Sequence, residues 1–123
     1  MVVRGIRGAT TVAANDSKLI LDATSELLSE IIRVNDVVPQ DIASVFITVT
    51  QELDAAFPAV AIRRLEGWDM VPLMCSVEIP VQNSLPQCIR LMILVNTDKR
   101  QDQMVHVYLN EAAVLRPDLT VKK

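Results

Sequence analysis

The stretch Cys88-Ile89-Arg90-Leu91-Met92-Ile93-Leu94-Val95 reads as a β-strand at the centre of a sheet. Alternation sends Ile89, Leu91, Ile93 and Val95 to one face and Cys88, Arg90, Met92 and Leu94 to the other. Both faces are otherwise apolar, so the strand is expected to be covered on both. Arg90 is the exception. An unpaired guanidinium in apolar surroundings is very costly, so it requires an anionic or strongly polar partner. That partner is either one of the chain's 15 acidic side chains or a ligand.

Outward from this strand, residues 2–7 read as a first strand, with Gly5 and Gly8 at its end. Thr10 to Asp16 reads as a loop, with Asn15, Asp16 and Ser17 as candidate caps for the helix that follows. Between Lys18 and Val34, Ile20, Ala23, Leu27, Ile31 and Val34 recur at three and four. That is the period of an amphipathic helix. Pro39–Ile42 reads as one short helical turn with Pro at its first position. Val45–Thr50 alternates and is rich in β-branched residues, as in a strand. Phe57-Pro58 opens a second helix of about ten residues, for which Gly67 is the expected C′ residue. Val71–Val77, interrupted by Pro72 and closed by Pro80, is a further strand, Gln103–Leu109 another, and Glu111–Leu115 a short tail segment. About five strands and two helices place the chain in the α+β, or mixed α/β, class.

The chain has 123 residues, the length of one domain, taken as residues 1–123. Hydrophobic residues are 50% and charged residues 22%, which excludes intrinsic disorder. With 12 Lys+Arg against 15 Asp+Glu the net charge is −3, which argues against a nucleic-acid partner. No run of apolar residues is long enough to span a membrane, and the N-terminus lacks the apolar stretch of a signal peptide. A cytoplasmic location is therefore expected, in which Cys75 and Cys88 stay reduced. Two Cys and one His supply neither a disulfide framework nor a metal site without carboxylates. The mean hydropathy of +0.30 is high for so short a chain and points to a large apolar interface between copies.

Four further positions carry possible chemistry. Arg7, between Gly5 and Gly8, lies where small neighbours allow backbone or ligand to approach. Arg116 ends the apolar Val114-Leu115 segment. With Arg90, these arginines suit an anion bearing more than one carboxylate or phosphate, because the planar guanidinium binds such groups in a bidentate fork. Glu78 is embedded in an apolar strand and is either the structural partner of Arg90 or an acceptor for a ligand hydroxyl. Alternation places it with Met74 and Ser76 and puts Cys75 on the opposite face. Tyr108 could be a core ring or a site hydroxyl, and His106 reads as structural. There is no Gly-rich phosphate loop, no Ser-His-Asp pattern and no metal-ligand pair at helical spacing.

The blocks Arg4-Gly5-Ile6-Arg7-Gly8-Ala9-Thr10-Thr11-Val12, Ala56-Phe57-Pro58-Ala59, Gly67-Trp68, Val71-Pro72-Leu73, Cys88-Ile89-Arg90, Gln101-Asp102-Gln103, His106-Val107-Tyr108-Leu109 and Val114-Leu115-Arg116-Pro117-Asp118-Leu119 resemble the monofunctional chorismate mutases of the trimeric, non-helical-bundle class. The resemblance runs from residue 3 to about residue 120. It implies a mixed sheet packed by one long and one shorter helix, three chains forming a barrel-like core, and a site at each subunit interface. It implies conversion of chorismate to prephenate without cofactor, metal or covalent intermediate. Residue by residue, it implies Arg90 at a carboxylate and the ether oxygen, Arg7 at the other carboxylate, Tyr108 supporting the substrate, and Glu78 at the ring hydroxyl with Cys75 beside it. Phe57, Leu73, Met74 and Leu115 would form apolar walls with Ala59 nearby, and Arg63 and Arg116 would stand at the mouth. The chain departs from the family at Val60, where a charged residue, notably Lys, is common. A non-catalytic anion-binding trimer or an imine deaminase of similar architecture is the rival expectation, but neither requires Arg7, Glu78, Arg90 and Tyr108 together.

Overall fold

A computed structural model describes residues 1–115. Five strands form one mixed sheet: β1 (Val2–Thr11), β2 (Ile42–Val49), β3 (Leu73–Val77), β4 (Cys88–Thr97) and β5 (Val107–Tyr108), in the order β3-β2-β4-β1-β5. The two outer pairs, β2·β3 and β1·β5, are parallel, while β4 runs antiparallel to both β1 and β2. The Cys88 strand is thus the middle of the sheet.

The helix α1 (Ser17–Asn35) buries Ile20, Thr24, Leu27, Leu28, Ile31 and Asn35 along one side. Of the three candidate caps, Asp16 starts it, its carboxylate accepting from the Leu19 N–H at 3.0 Å. Asn15 acts elsewhere, accepting from the Asp54 and Ala55 N–H groups and so tying this loop to the one before the second helix. The α1 helix packs on β1 and β5, and its buried side chains share one core with Ile6, Ile89, Leu91, Ile93 and Val95, all at most 2% exposed. Gly8 lies on the same face of β1 as Ile6. A Cβ there would come within 2.7 Å of Ile31 Cδ1, so the glycine serves close helix–sheet packing.

Several boundaries differ from the sequence reading. The first strand continues to Thr11, because β1 pairs with β4 without interruption from Val2↔Thr97 to Thr11↔Cys88. The second helix, α2 (Ala59–Arg63), has five residues rather than about ten. Beyond it the chain descends through successive tight turns, Leu65 N to Ile62 O, Trp68 N to Leu65 O and Val71 N to Trp68 O, which bury Trp68 and Val71. Gly67 is in the left-handed region at φ 85°, but within these turns and not at the C′ position of α2. The last strand shrinks to Val107–Tyr108. Upstream, Gln101–Gln103 is a 3-10 turn, and the Asn35 side chain holds both the N–H and the carbonyl of Val105, taking the groups a longer ladder would use. The expected burial of both faces of β4 also fails within one chain. Met92 is 36% exposed, and no described element covers it or its neighbours Phe46 and Met74.

Candidate active site

On the face away from α1, register builds the site as a row across the sheet. Arg90 on β4 lies opposite Ala9 on β1 and Thr48 on β2, Ala9 lies beside Tyr108 on β5, and Thr48 lies beside Ser76 on β3. One step along the strands, Arg7, Met92, Phe46 and Met74 form the next row. Partners in register project to the same side of a sheet, so two arginines, a tyrosine and two methionines converge on one surface.

Glu78 stands just past the end of β3, where its N–H donates to the Val49 carbonyl at 2.9 Å. Its Oε2 lies 3.1 Å from Arg90 Nε and accepts from the Thr48 hydroxyl at 2.8 Å. The ion pair is partly sheltered, the Arg90 and Glu78 side chains being 33% and 17% exposed. Both Arg90 Nε and the Tyr108 hydroxyl are buried; the Nε contact with Glu78 is an ion pair without hydrogen-bond alignment, and the hydroxyl has no hydrogen-bond partner among the described residues. A buried polar atom left without a hydrogen bond costs about 1–3 kcal/mol, and such atoms are rare in folded proteins. The Tyr108 hydroxyl, on the same sheet face as Arg7 and Arg90, is therefore a candidate contact for a polar ligand.

The Tyr108 ring is held by Ala9, Cys88 and Ala112, with Leu85 and Leu115 packed against that cluster. Arg7 is fixed through its backbone, whose N–H donates to His106 Nδ1 at 2.9 Å. Burial pushes the Cys88 thiol up to about 11, while the neighbouring Arg90 guanidinium acts in the opposite direction. At neutral pH this thiol is protonated and a poor nucleophile. Among the described residues, no three His, Cys, Asp or Glu side chains come together as a metal-ligand group. No described helix is long and apolar enough to cross a membrane.

Two open hollows meet at Arg90. One, of about 480 Å³, is lined by Thr48, Ser76, Val77, Glu78, Ile79, Val81, Ser84 and Arg90. The other, of about 220 Å³, is lined by Arg7, Phe46, Thr48, Arg90 and Met92. A third and more apolar hollow, of about 570 Å³, lies across β3 and is lined by Leu53, Phe57, Pro58, Cys75 and Val77 among others. The structure therefore brings Arg7, Glu78, Arg90, Tyr108 and Leu115 to one region, and Phe57 and Cys75 to another. Cys75 is on the opposite face of β3 from Glu78 in the same chain and is not beside it, because no bulge interrupts the β2·β3 register from Val45↔Leu73 to Val49↔Val77. Leu73 shares the Cys75 side and packs against the core, Met74 is 62% exposed on the Arg90 side, and Ala59 is buried at the start of α2. Val60 is half-buried on α2, and Arg63 is exposed at its end. Arg116 lies outside the described residues. Sequence reasoning missed Thr48 and Leu85. Alternation alone could have put Thr48 on the site face once its register with Arg90 was known, but nothing in the sequence announced Leu85.

The family described as chorismate mutase type I matches residues 3–119. Over 123 residues the chain is 47% identical to chorismate mutase AroH of Bacillus subtilis (strain 168), covering 100% of this chain and 97% of that one. It is 48% identical over 119 residues to chorismate mutase AroH of Thermus thermophilus, covering 96% of this chain and 97% of the relative. A solved chorismate mutase from Clostridium thermocellum superposes with a TM-score of 0.87 at 50% identity, over 89% of this chain and 97% of that one. Agreement of sequence and architecture along almost the whole chain leads to one conclusion: it belongs to the type I chorismate mutase family.

Proposed function

We infer that the chain is an isomerase that converts chorismate to prephenate in aromatic amino-acid biosynthesis. Beyond family membership, the observation that carries the reading is the convergence on one sheet face of Arg7, the Glu78-paired Arg90 and the buried Tyr108 hydroxyl, which has no hydrogen-bond partner among the described residues. The reaction is an intramolecular Claisen rearrangement. One carbon–oxygen bond breaks, one carbon–carbon bond forms, and no proton or electron leaves the substrate. The protein's task is then to hold the folded, chair-like conformer and to stabilise the charge that develops on the ether oxygen.

In this reading the Arg90 guanidinium faces that oxygen and one carboxylate, Arg7 binds the other carboxylate, and the Tyr108 hydroxyl supports the substrate. Glu78 accepts from the ring hydroxyl while paired to Arg90. Phe57, Ala59, Leu73, Met74, Cys75 and Leu115 supply the remaining walls, and Arg63 and Arg116 draw the dianion to the mouth. With Val60 on α2 in place of a cation, that attraction rests on these two arginines.

We further propose a homotrimer in which the Phe57–Cys75 hollow of one chain faces the Arg90 hollow of the next. Two features support it: Phe57 and Cys75 line a hollow that does not include Arg90 or Glu78, the two hollows sharing Ser76 and Val77 of β3, and Phe46, Met74 and Met92 are 43%, 62% and 36% exposed in a continuous apolar surface. We place the enzyme in the cytoplasm, where its free cysteines stay reduced. The test is a spectrophotometric assay of chorismate disappearance on purified protein, with prephenate as sole product, alongside sedimentation equilibrium. Turnover by a species three times 13.6 kDa is expected. Absence of turnover removes the activity, and full activity in a monomer removes the shared site.

A further inference from the structure

We propose that Thr48 is a positioning residue for the rearrangement, holding Glu78 in a one-oxygen contact with the Nε edge of Arg90; this rests on the reading of the site given above. Thr48 is the cross-strand neighbour of Arg90 and of Ser76 and points to the open face of the sheet. Its hydroxyl hydrogen goes to Glu78 Oε2 at 2.8 Å, and that same oxygen lies 3.1 Å from Arg90 Nε. Both contacts fall on Oε2, which leaves Oε1 to accept from the substrate.

The alternative geometry explains why a hydroxyl belongs here. A carboxylate beside a guanidinium tends toward the bidentate fork, in which two parallel N–H groups meet both oxygens. In that arrangement Glu78 would occupy the donors that the substrate's carboxylate and ether oxygen need. Thr48 anchors one oxygen from the side of β2, and the backbone bond from the Glu78 N–H to the Val49 carbonyl fixes the residue at its base. The Glu78 side chain is thus pinned at both ends, and the outer face of Arg90 stays open. Thr48 touches no reacting atom in this scheme and acts through Glu78 and Arg90.

The test is steady-state kinetics on the full chain with chorismate, first in the wild type and then in variants. Turnover by the wild type is required by the reading of the site, and its absence would defeat that reading rather than the role of Thr48. Thr48→Val keeps the β-branched shape and loses the hydroxyl. It should lower kcat/KM roughly 10- to 100-fold, most of it in kcat, because the disturbed group is the one that meets developing charge. Thr48→Ser should recover most of that loss. In a Glu78→Ala background, Thr48→Val should cause no further fall, since the residue through which it acts is gone. If Thr48→Val does not fold, Thr48→Ala is compared with Thr48→Ser in the same way. Near wild-type kcat in Thr48→Val, equal damage in Thr48→Ser, or an undiminished effect without Glu78 would each overturn the proposal.

Discussion

Ile93 and Met92 are neighbours on β4, yet Ile93 is 0% exposed and Met92 is 36% exposed. The same contrast runs across the sheet. On the α1 side, Ile6, Val45, Ile47 and Ile89 are also 0% exposed and are packed entirely by their own chain. On the other side, apolar side chains stand uncovered beside the Arg90–Glu78 ion pair and the buried Tyr108 hydroxyl, which has no hydrogen-bond partner among the described residues. One face is complete within the chain, and the other is incomplete in two respects. Its apolar part calls for another copy, and its polar part calls for a ligand. Stability is therefore expected to reside on the first face and catalysis and assembly on the second.

The sharpest test of this division is Arg90→Ala. Losing a donor aimed at developing charge typically lowers kcat about 10²–10³-fold, roughly 3–4 kcal/mol. Arg90→Ala should lose at least this much, while urea unfolding changes far less. Arg90→Lys should recover only part, because one ammonium cannot serve two oxygens as a fork does. A folded Arg90→Ala protein with normal kcat and only a raised KM would make Arg90 a uniform binding group and break the comparison.

The converse experiment is Ile93→Ala. Truncating this fully buried side chain should cost about 3 kcal/mol of folding stability in urea titration, with kcat per folded molecule unchanged. Its neighbour Met92, truncated in the same way, should affect stability less. Its effect should appear as dissociation of the proposed trimer at higher protein concentration in sedimentation runs.

Two glycines of β1 sharpen the contrast. A Cβ on Gly8 would meet Ile31 Cδ1 at 2.7 Å, Leu27 Cδ1 at 3.2 Å and the Val107 carbonyl oxygen at 3.3 Å. Gly8→Ala should therefore destabilise by about 1–3 kcal/mol, as overpacking does. A Cβ on Gly5, on the open face, would meet only Met92 Sδ, at the ordinary distance of 3.5 Å. Gly5→Ala should stay within about 0.5 kcal/mol of wild type. Equal penalties in the thermal denaturation of the two variants would contradict the division of faces.

The smallest effect is expected from thiol chemistry. The Cys88 thiol, raised to about 11 first by burial, is almost wholly protonated at pH 8 and is 0% exposed. Iodoacetamide should leave it unlabelled until denaturant is added, whereas half-buried Cys75 should react first, as read by peptide mass spectrometry. Rapid native labelling of Cys88 would mean that the cluster around Tyr108 opens easily.

Local patterns made much of this legible in the sequence. The period of Ile20, Leu27 and Ile31 located α1 to within a residue or two, and Asp16 was among its three candidate caps. The two-faced run from Cys88 identified the central strand, and the lone Arg90 within it marked the candidate site. The length of β1 was not legible, because residues 8–11 are extended through pairing with β4 and, at Gly8 and Ala9, with β5, both distant in the chain. The short β5 was not legible either, since what displaces its ladder is the side chain of Asn35, at the far end of α1.

By itself the amino-acid sequence determined the class of the fold, the central strand, the long helix and the residue types of an anion site. Those features depend on hydrophobic period and capping chemistry, which act over a few residues. Only the tertiary structure decided that Thr48 meets Glu78 and that Glu78 meets Arg90 through one oxygen. These contacts depend on the register between strands separated by long connections. A shift of one residue in that register would send every one of these side chains to the opposite face.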